Sequence, residues 1–216
     1  TWSFDRVGQI SLALTQVKNC LEAVQEAGGP KVIYTSSLST IGRATGRGAL
    51  ANEETPYDPR TKGLYYEIKY LLEQEVLRAV REEGLLATIV NPTAVFGDYD
   101  VKPTSGTMVV MIANRRVPAI VDRPMNVIDV RHVARAQVAA MKLGKIGGRS
   151  ILGANNTSTW ETACLIARLA GVPPPRLRAP SRLGPGRRDR GASARARRQA
   201  LPRLPPRRPH PPRALG

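Results

Sequence analysis

The chain has few of the residues that staple or metallate a fold. Its two cysteines, Cys20 and Cys164, stand in separate helical patterns. That placement predicts free thiols in a reducing compartment rather than a disulfide framework. With two histidines, His132 and His210, and no cysteine cluster, the usual zinc ligand sets are excluded and no metal site is expected. No apolar run is long enough to span a bilayer, and no basic-then-apolar leader follows Thr1. A cytoplasmic protein with no membrane partner is expected.

Acidic residues are nearly absent from one end. Of 33 basic and 17 acidic residues, 13 Arg and one Asp fall in 176–216, which leaves 20 basic and 16 acidic in 1–175. The net charge of +16 therefore belongs mostly to the tail. Past Val172 there is no Lys, Ile, Val, Phe, Tyr or Trp. Such a segment has nothing with which to build a core, so residues 176–216 are expected to be a disordered Arg/Pro-rich tail. Arg, Pro, Ala and Gly share G/C-rich codons, and the abrupt change is that of a shifted reading frame. Thirteen arginines would attract polyanions without sequence preference. No aromatic side chain is interleaved with them for base stacking, so no specific nucleic-acid partner is expected.

The body reads as alternating helices and apolar strands. Ile10, Leu14, Val17, Leu21 and Val24 recur at helical spacing within 4–27, and Gly28-Gly29-Pro30 stops that helix. Lys31 to Thr35 is a short β-branched run, read as a buried strand. Ser36 to Gly63, rich in Ser, Thr, Gly, Asn and Pro, reads as an irregular excursion. A long helix covers Leu64 to Glu83, Gly84 closes it, and Leu86 to Val90 is a second buried strand. Strand, helix, strand with apolar strands predicts a parallel sheet covered by helices. Beyond Gly97 the spacing predicts helices over Gly106–Ala113, from Asp129 to about Lys142, and from Thr157 or Ser158 to near Gly171. Short strands are expected at 126–128 and 150–152.

Tyr65 and Lys69 stand one turn apart on the long helix, on one face. An ammonium beside a phenol favours the phenolate and readies it to trade a proton with an alcohol or carbonyl. At 100° per residue both fall inside an apolar stripe of Leu64, Ile68, Leu71, Leu72, Val76 and Val80. Tyr66 falls outside it, and Glu75 intrudes on it. His132 reads as a packing residue and Tyr57 as a loop anchor. Ser36-Ser37 and Asn91-Pro92-Thr93 end the two strands, where open parallel sheets place their ligands.

Three motifs in order carry a resemblance: Val32-Ile33-Tyr34-Thr35-Ser36-Ser37, Tyr65-xxx-Lys69, and Asn91-Pro92-Thr93-Ala94-Val95-Phe96-Gly97. They resemble the extended short-chain dehydrogenase/reductase superfamily, in its NAD-dependent epimerase/dehydratase and dihydroflavonol-reductase-like branch. Asn126 to Ala134 and Gly147 to Pro175 extend the likeness over roughly 4–180. The resemblance implies an α/β fold: part of a doubly wound Rossmann-type parallel sheet with a small mixed substrate subdomain. Residues 1–100 would be the C-terminal half of the cofactor-binding domain, and 101–175 the substrate side with interleaved sheet elements.

The resemblance also implies roles. Tyr65 would be the general acid/base. Lys69 would assist it and hold the nicotinamide ribose, and Ser37 would polarise the substrate oxygen, with Gly42 at the family's distance downstream. Thr35, Ser36, Asn91, Pro92 and Thr93 would line the cofactor. Ser39 and Asn126, with Ser37, would meet the substrate, although Ser36 and Ser39 also fit turn chemistry and Asn126 a strand cap. The cofactor would be NAD or NADP. The substrate would be a small molecule bearing a hydroxyl or carbonyl, such as a sugar nucleotide or a dihydroflavonol-like ketone. A homodimer through two helices per subunit, one of them the Tyr-xxx-Lys helix, fits the same resemblance.

The family's glycine-rich phosphate loop has no counterpart before the first strand. Gly42 to Gly48 is glycine-rich but follows the serine-bearing strand, and reads as an active-site loop. The sequence is thus expected to be a fragment of a longer enzyme. A catalytically inactive remnant or interaction module is the alternative.

Overall fold

The computed structural model describes residues 5–44, 49–60, 63–101 and 104–180. The loop segment 45–48 and the tail from 181 onward lie outside the described residues.

Three parallel strands form the main sheet: β1 (Val32–Thr35), β2 (Ala87–Pro92) and β6 (Arg149–Leu152), in the order β1-β2-β6. Val32 pairs with Ala87, and Ile89 with Arg149. Strand side chains alternate between faces, and the two faces meet different helices. On one side Val32, Tyr34, Ala87 and Ile89 pack with Leu21 of α1 (Arg6–Glu26) and with Val76 and Ala79 of α2 (Leu64–Glu83). On the other, Thr88 donates its hydroxyl to the Lys145 carbonyl at 3.0 Å, just past α4 (Val130–Leu143). Helices on both faces are what a doubly wound sheet requires.

Local signals set the helix ends. Gly84 takes a left-handed conformation (φ 70°) and closes α2. Asp129 caps α4 by accepting from the Arg131 amide at 2.8 Å. Two guanidinium bonds from Arg131 add to this and hold the Asp129 carboxyl well below the usual carboxylate range. Ser158 and Glu161 form a reciprocal capping box at the start of α5 (Thr159–Leu169).

The rest is a smaller mixed assembly. β5 (Pro124–Asp129) pairs in parallel with β3 (Ala94–Phe96) and antiparallel with β7 (Asn155–Ser158). Ile112 of α3 (Gly106–Ala113) packs with Ala163 and Ala167 of α5. β4 (Ala119–Asp122) pairs in parallel with β8 (Leu177–Pro180). Strand β6 belongs to the first sheet and β3 to the second, so the two halves interleave across residue 100.

Three expectations need correction. The tail does not begin at 176: Leu177–Pro180 is a strand, because β4 offers it a parallel partner. Arg178 is pinned by two bonds to Asp122, at 2.5 and 2.9 Å, and its guanidinium lies 5.8 Å from the Trp160 ring centre. His132 is exposed rather than packed. Tyr65, expected on a covered face, is 57 % exposed and Tyr66 40 %. The periodicity does carry Tyr65 and Lys69 on the Val76 face. But the strand residues Ala87 and Ile89 pack against the later turns of α2, at Val76 and Ala79.

Candidate active site

The motif residues gather at the carboxyl ends of β1 and β2. Ser36 is buried, with its amide bonded to the Val90 carbonyl at 2.8 Å, extending the β1–β2 ladder. Ser37 follows and opens a single 3-10 turn, Leu38–Thr40. Its Oγ accepts from the Ser39 amide at 3.2 Å, and no acceptor among the described residues takes its proton. The Ser37 hydroxyl is thus a donor held in place and still free to donate.

Tyr65 and Lys69 come from the first two turns of α2. The Tyr65 ring meets Tyr66 edge-on, with centroids 5.7 Å apart. No hydrogen bond or ion pair engages Lys69 among the described residues, and its side chain is half-buried. Further along, Tyr70 stacks on Tyr57 at 4.1 Å, with planes 12° apart, which anchors the loop between β1 and α2 as expected of Tyr57.

Thr35 is exposed and accepts from Gln137 of α4 at 2.8 Å. Asn91 is fully buried. Its amide nitrogen points under the Ser37 turn, 2.8 Å from Glu73 Oε2, 3.0 Å from Thr40 Oγ1 and 3.2 Å from the Ser37 carbonyl. Pro92 ends β2 opposite Leu152, and the Thr93 amide continues that ladder to the Leu152 carbonyl at 3.0 Å. Asn126 stands apart on β5: its Nδ2 donates to Asn156 Oδ1 at 2.8 Å, and its Oδ1 accepts from the Ala154 amide at 3.1 Å. Both ends of that amide are committed to the β5–β7 connection.

Three buried polar atoms have no partner among the described residues: Ser39 Oγ, Asn91 Oδ1 and Thr93 Oγ1. Unsatisfied buried polar atoms are uncommon and call for a specific reason. All three belong to residues at the carboxyl edge of β1 and β2. Among the described residues no group of three or more His, Cys, Asp or Glu could hold a metal ion, and no helix is long and apolar enough to cross a membrane.

Sequence reasoning missed the group at the centre of this region. Glu73 is 0 % exposed, and its carboxylate accepts from Ser36, Thr40, Asn91 and Arg149. A signal was available. Glu73 lies one turn past Lys69 on the same face, under two strand ends rich in hydroxyl and amide groups.

Comparison with known proteins identifies the family. The model of the 3-beta hydroxysteroid dehydrogenase/isomerase family matches residues 3–153, and the chain belongs to that family. This places it within the extended short-chain dehydrogenase/reductase group that its motifs resemble. A Synechocystis sp. protein named for dihydroflavonol 4-reductase is 34 % identical over 83 % of this chain and 53 % of its own length. Sterol demethylase protein B of Methylococcus capsulatus is 31 % identical over 84 % of this chain and 55 % of its own. The crystal structure of gox2253 superposes with a TM-score of 0.78 at 36 % identity, covering 83 % of this chain and 55 % of that one. A nucleoside-diphosphate-sugar epimerase from Pseudomonas aeruginosa superposes at 0.75 with 28 % identity, over 81 % and 57 %. The chain therefore spans just over half the length of these relatives.

Proposed function

We propose that these residues form the catalytic portion of an NAD(P)-dependent oxidoreductase or epimerase acting on a hydroxyl or carbonyl carbon of a cyclic small molecule. The observation that carries this reading is the Ser37 hydroxyl at the carboxyl end of a parallel sheet, with its proton uncommitted, in a turn bonded through Ser36 and Thr40 to Glu73 of the helix that bears Tyr65 and Lys69. The family and the relatives named for sterol and dihydroflavonol chemistry support the substrate class.

The residues at the strand ends fit a nicotinamide cofactor. Ser39 Oγ, Asn91 Oδ1 and Thr93 Oγ1 supply unmatched polar capacity there, and Lys69 offers donors for a ribose. Thr35, Ser36 and Pro92 would complete the wall. When bound, the nicotinamide accepts or gives the hydride. In oxidation, Tyr65 Oη takes the alcohol proton as the carbonyl forms; in reduction it returns that proton to the carbonyl oxygen. Lys69 steadies the phenolate electrostatically. Ser37 Oγ donates to the substrate oxygen and stabilises the charge that develops on it. Asn126, held within β5–β7, would act by shaping the substrate side. Pairing of two copies through α1 and α2 fits the same reading.

The test is a turnover panel. The purified chain is offered NAD or NADP with a 3β-hydroxysteroid, a dihydroflavonol-type ketone and a nucleotide sugar. Ser37→Ala should lower kcat on the accepted substrate by about 100-fold. No turnover and no nicotinamide binding on any of them would favour the non-catalytic alternative.

A further inference from the structure

Glu73 bonds neither Ser37 Oγ nor Tyr65 Oη, which the proposed proton transfer uses, yet it is the one buried acid among the described residues and accepts four bonds. We propose that Glu73 is a positioning residue for the Ser37 hydroxyl: its carboxylate locks the 36–40 turn onto the helix that carries Tyr65 and Lys69. This rests on the function proposed above.

Tyr65, Lys69 and Glu73 follow one another at four-residue steps, so they form a row that turns slowly around α2, each about 6 Å further along. The first is open to solvent and the third is sealed under the sheet. Four donors from three segments, the 36–40 turn, β2 and β6, meet Glu73. Oε2 accepts from Ser36 Oγ at 2.5 Å, from Thr40 Oγ1 at 2.7 Å and from Asn91 Nδ2 at 2.8 Å. Oε1 faces Arg149 Nη1 of β6 at 3.3 Å. Ser36 and Thr40 bracket Ser37. The Ser37 carbonyl accepts from the Thr40 amide at 3.2 Å and from Asn91 Nδ2 at 3.2 Å, and Thr40 Oγ1, its one proton shared with Glu73, lies 2.9 Å from it. The direction of the Ser37 side chain is therefore set by a main chain that Glu73 grips on both sides.

The site needs an acid rather than an amide. The Asn91 amide nitrogen and the Arg149 guanidinium can only donate to Glu73, one at each oxygen, and a carboxylate accepts at both. A glutamine of the same shape must turn its NH2 either toward Ser36, Thr40 and Asn91 or toward Arg149. Either choice sets donor against donor in a buried place. Arg149 extends the brace, because it also donates to the Glu53 carbonyl while the Ile151 amide donates to Glu53 Oε1 at 2.9 Å.

The experiment compares wild type, Glu73→Gln and the milder Thr40→Val as intact chains, by amide hydrogen exchange and by steady-state kinetics. The amides of Ser39, Thr40 and Ile41 report the turn directly, since each bonds within 37–38. Both variants should speed exchange at these amides by about tenfold or more and leave those of Val76 and Ile89 unchanged, as expected of a local opening. Glu73→Gln should lower kcat by about 100-fold, as small misplacements of a catalytic group do, with KM for the cofactor within about twofold of wild type. Exchange that rises across the whole core, unchanged exchange at 39–41, or an unaltered kcat in an active enzyme would overturn the proposal. If wild type turns over nothing, the functional reading falls, and the exchange data alone decide whether Glu73 holds the turn.

Discussion

Gly42 and Pro56 meet backbone to backbone: a β-carbon on Gly42 would overlap the Pro56 carbonyl oxygen. This contact closes the loop that leaves the Ser37 turn onto the loop that enters α2. The Tyr57–Tyr70 stack fastens the same loop one residue later. Gly42→Ala must push the two segments apart. It is expected to cost about 1–3 kcal/mol in urea unfolding, by the cost of forcing extra bulk into a packed contact. It should also speed proteolytic cleavage within 49–60. Unchanged stability and cleavage would show that the two loops are not held together.

Ile89 is fully buried at the centre of the main sheet, packed with Val76 and Ala79 of α2. Ile89→Ala should cost about 2–5 kcal/mol, the range for deleting a large buried aliphatic side chain. Ser158→Ala, which removes the capping box of α5, should cost only about 1 kcal/mol. Equilibrium denaturation of both variants checks the ratio. Equal losses would contradict the placement of the core.

Tyr34 gives the protein an alkaline limit. Burial first, and the nearby Glu73 charge second, push its hydroxyl up to about 12. An unfolded tyrosine titrates near 10. A group whose folded value is raised contributes stability that is complete below its unfolded value and is lost as pH climbs to the folded one. The wild-type chain should therefore lose stability between about pH 10 and 12. Tyr34→Phe should remove that component of the loss, which denaturant melts across that window will show. Parallel pH curves for the two proteins would contradict the assignment.

Asp129 gives a complementary acid dependence. Its carboxyl is held low mainly by side-chain bonds from Arg131 and then by the Arg131 amide. A depressed carboxyl contributes stability above its unfolded value, near 3.9, and loses it as pH falls toward the folded value. Asp129→Asn should be less stable than wild type at neutral pH, and the gap should close on acidification below about pH 4. A gap that persists at low pH would assign the effect to packing instead.

Helices were the most legible part of this sequence, because each carries its own punctuation. Leu64–Glu83 with Gly84, Gly106–Ala113, and the Asp129 cap were all readable from period and end signals. Strands whose partners supply the reason for them were not. β7 is Asn155-Asn156-Thr157-Ser158, with no apolar alternation, and it is extended because β5 pairs with it. β8, Leu177 to Pro180, looks like the start of the Arg/Pro-rich tail until β4 pairs with it.

The motif residues at the ends of β1 and β2 came together as their order implied, since consecutive parallel strands leave their carboxyl ends side by side. Exposure was misread at Tyr65, because periodicity reports the face of a helix but not how far its neighbours extend along it. Glu73 escaped notice for the opposite reason. A charged residue on a core face looks like an exception until Ser36, Thr40, Asn91 and Arg149 are seen to surround it.

The measurement that bears most directly on the functional account is turnover by Tyr65→Phe beside wild type. Reduced nicotinamide formation would be followed with a 3β-hydroxysteroid, after circular dichroism has shown both proteins equally folded. The phenol is exposed at the end of α2, so its loss should leave the fold intact. The account predicts wild-type turnover, a fall in kcat of about 100-fold or more in the variant, and unchanged cofactor binding. Equal turnover by the two proteins would contradict the role of Tyr65 as the acid/base.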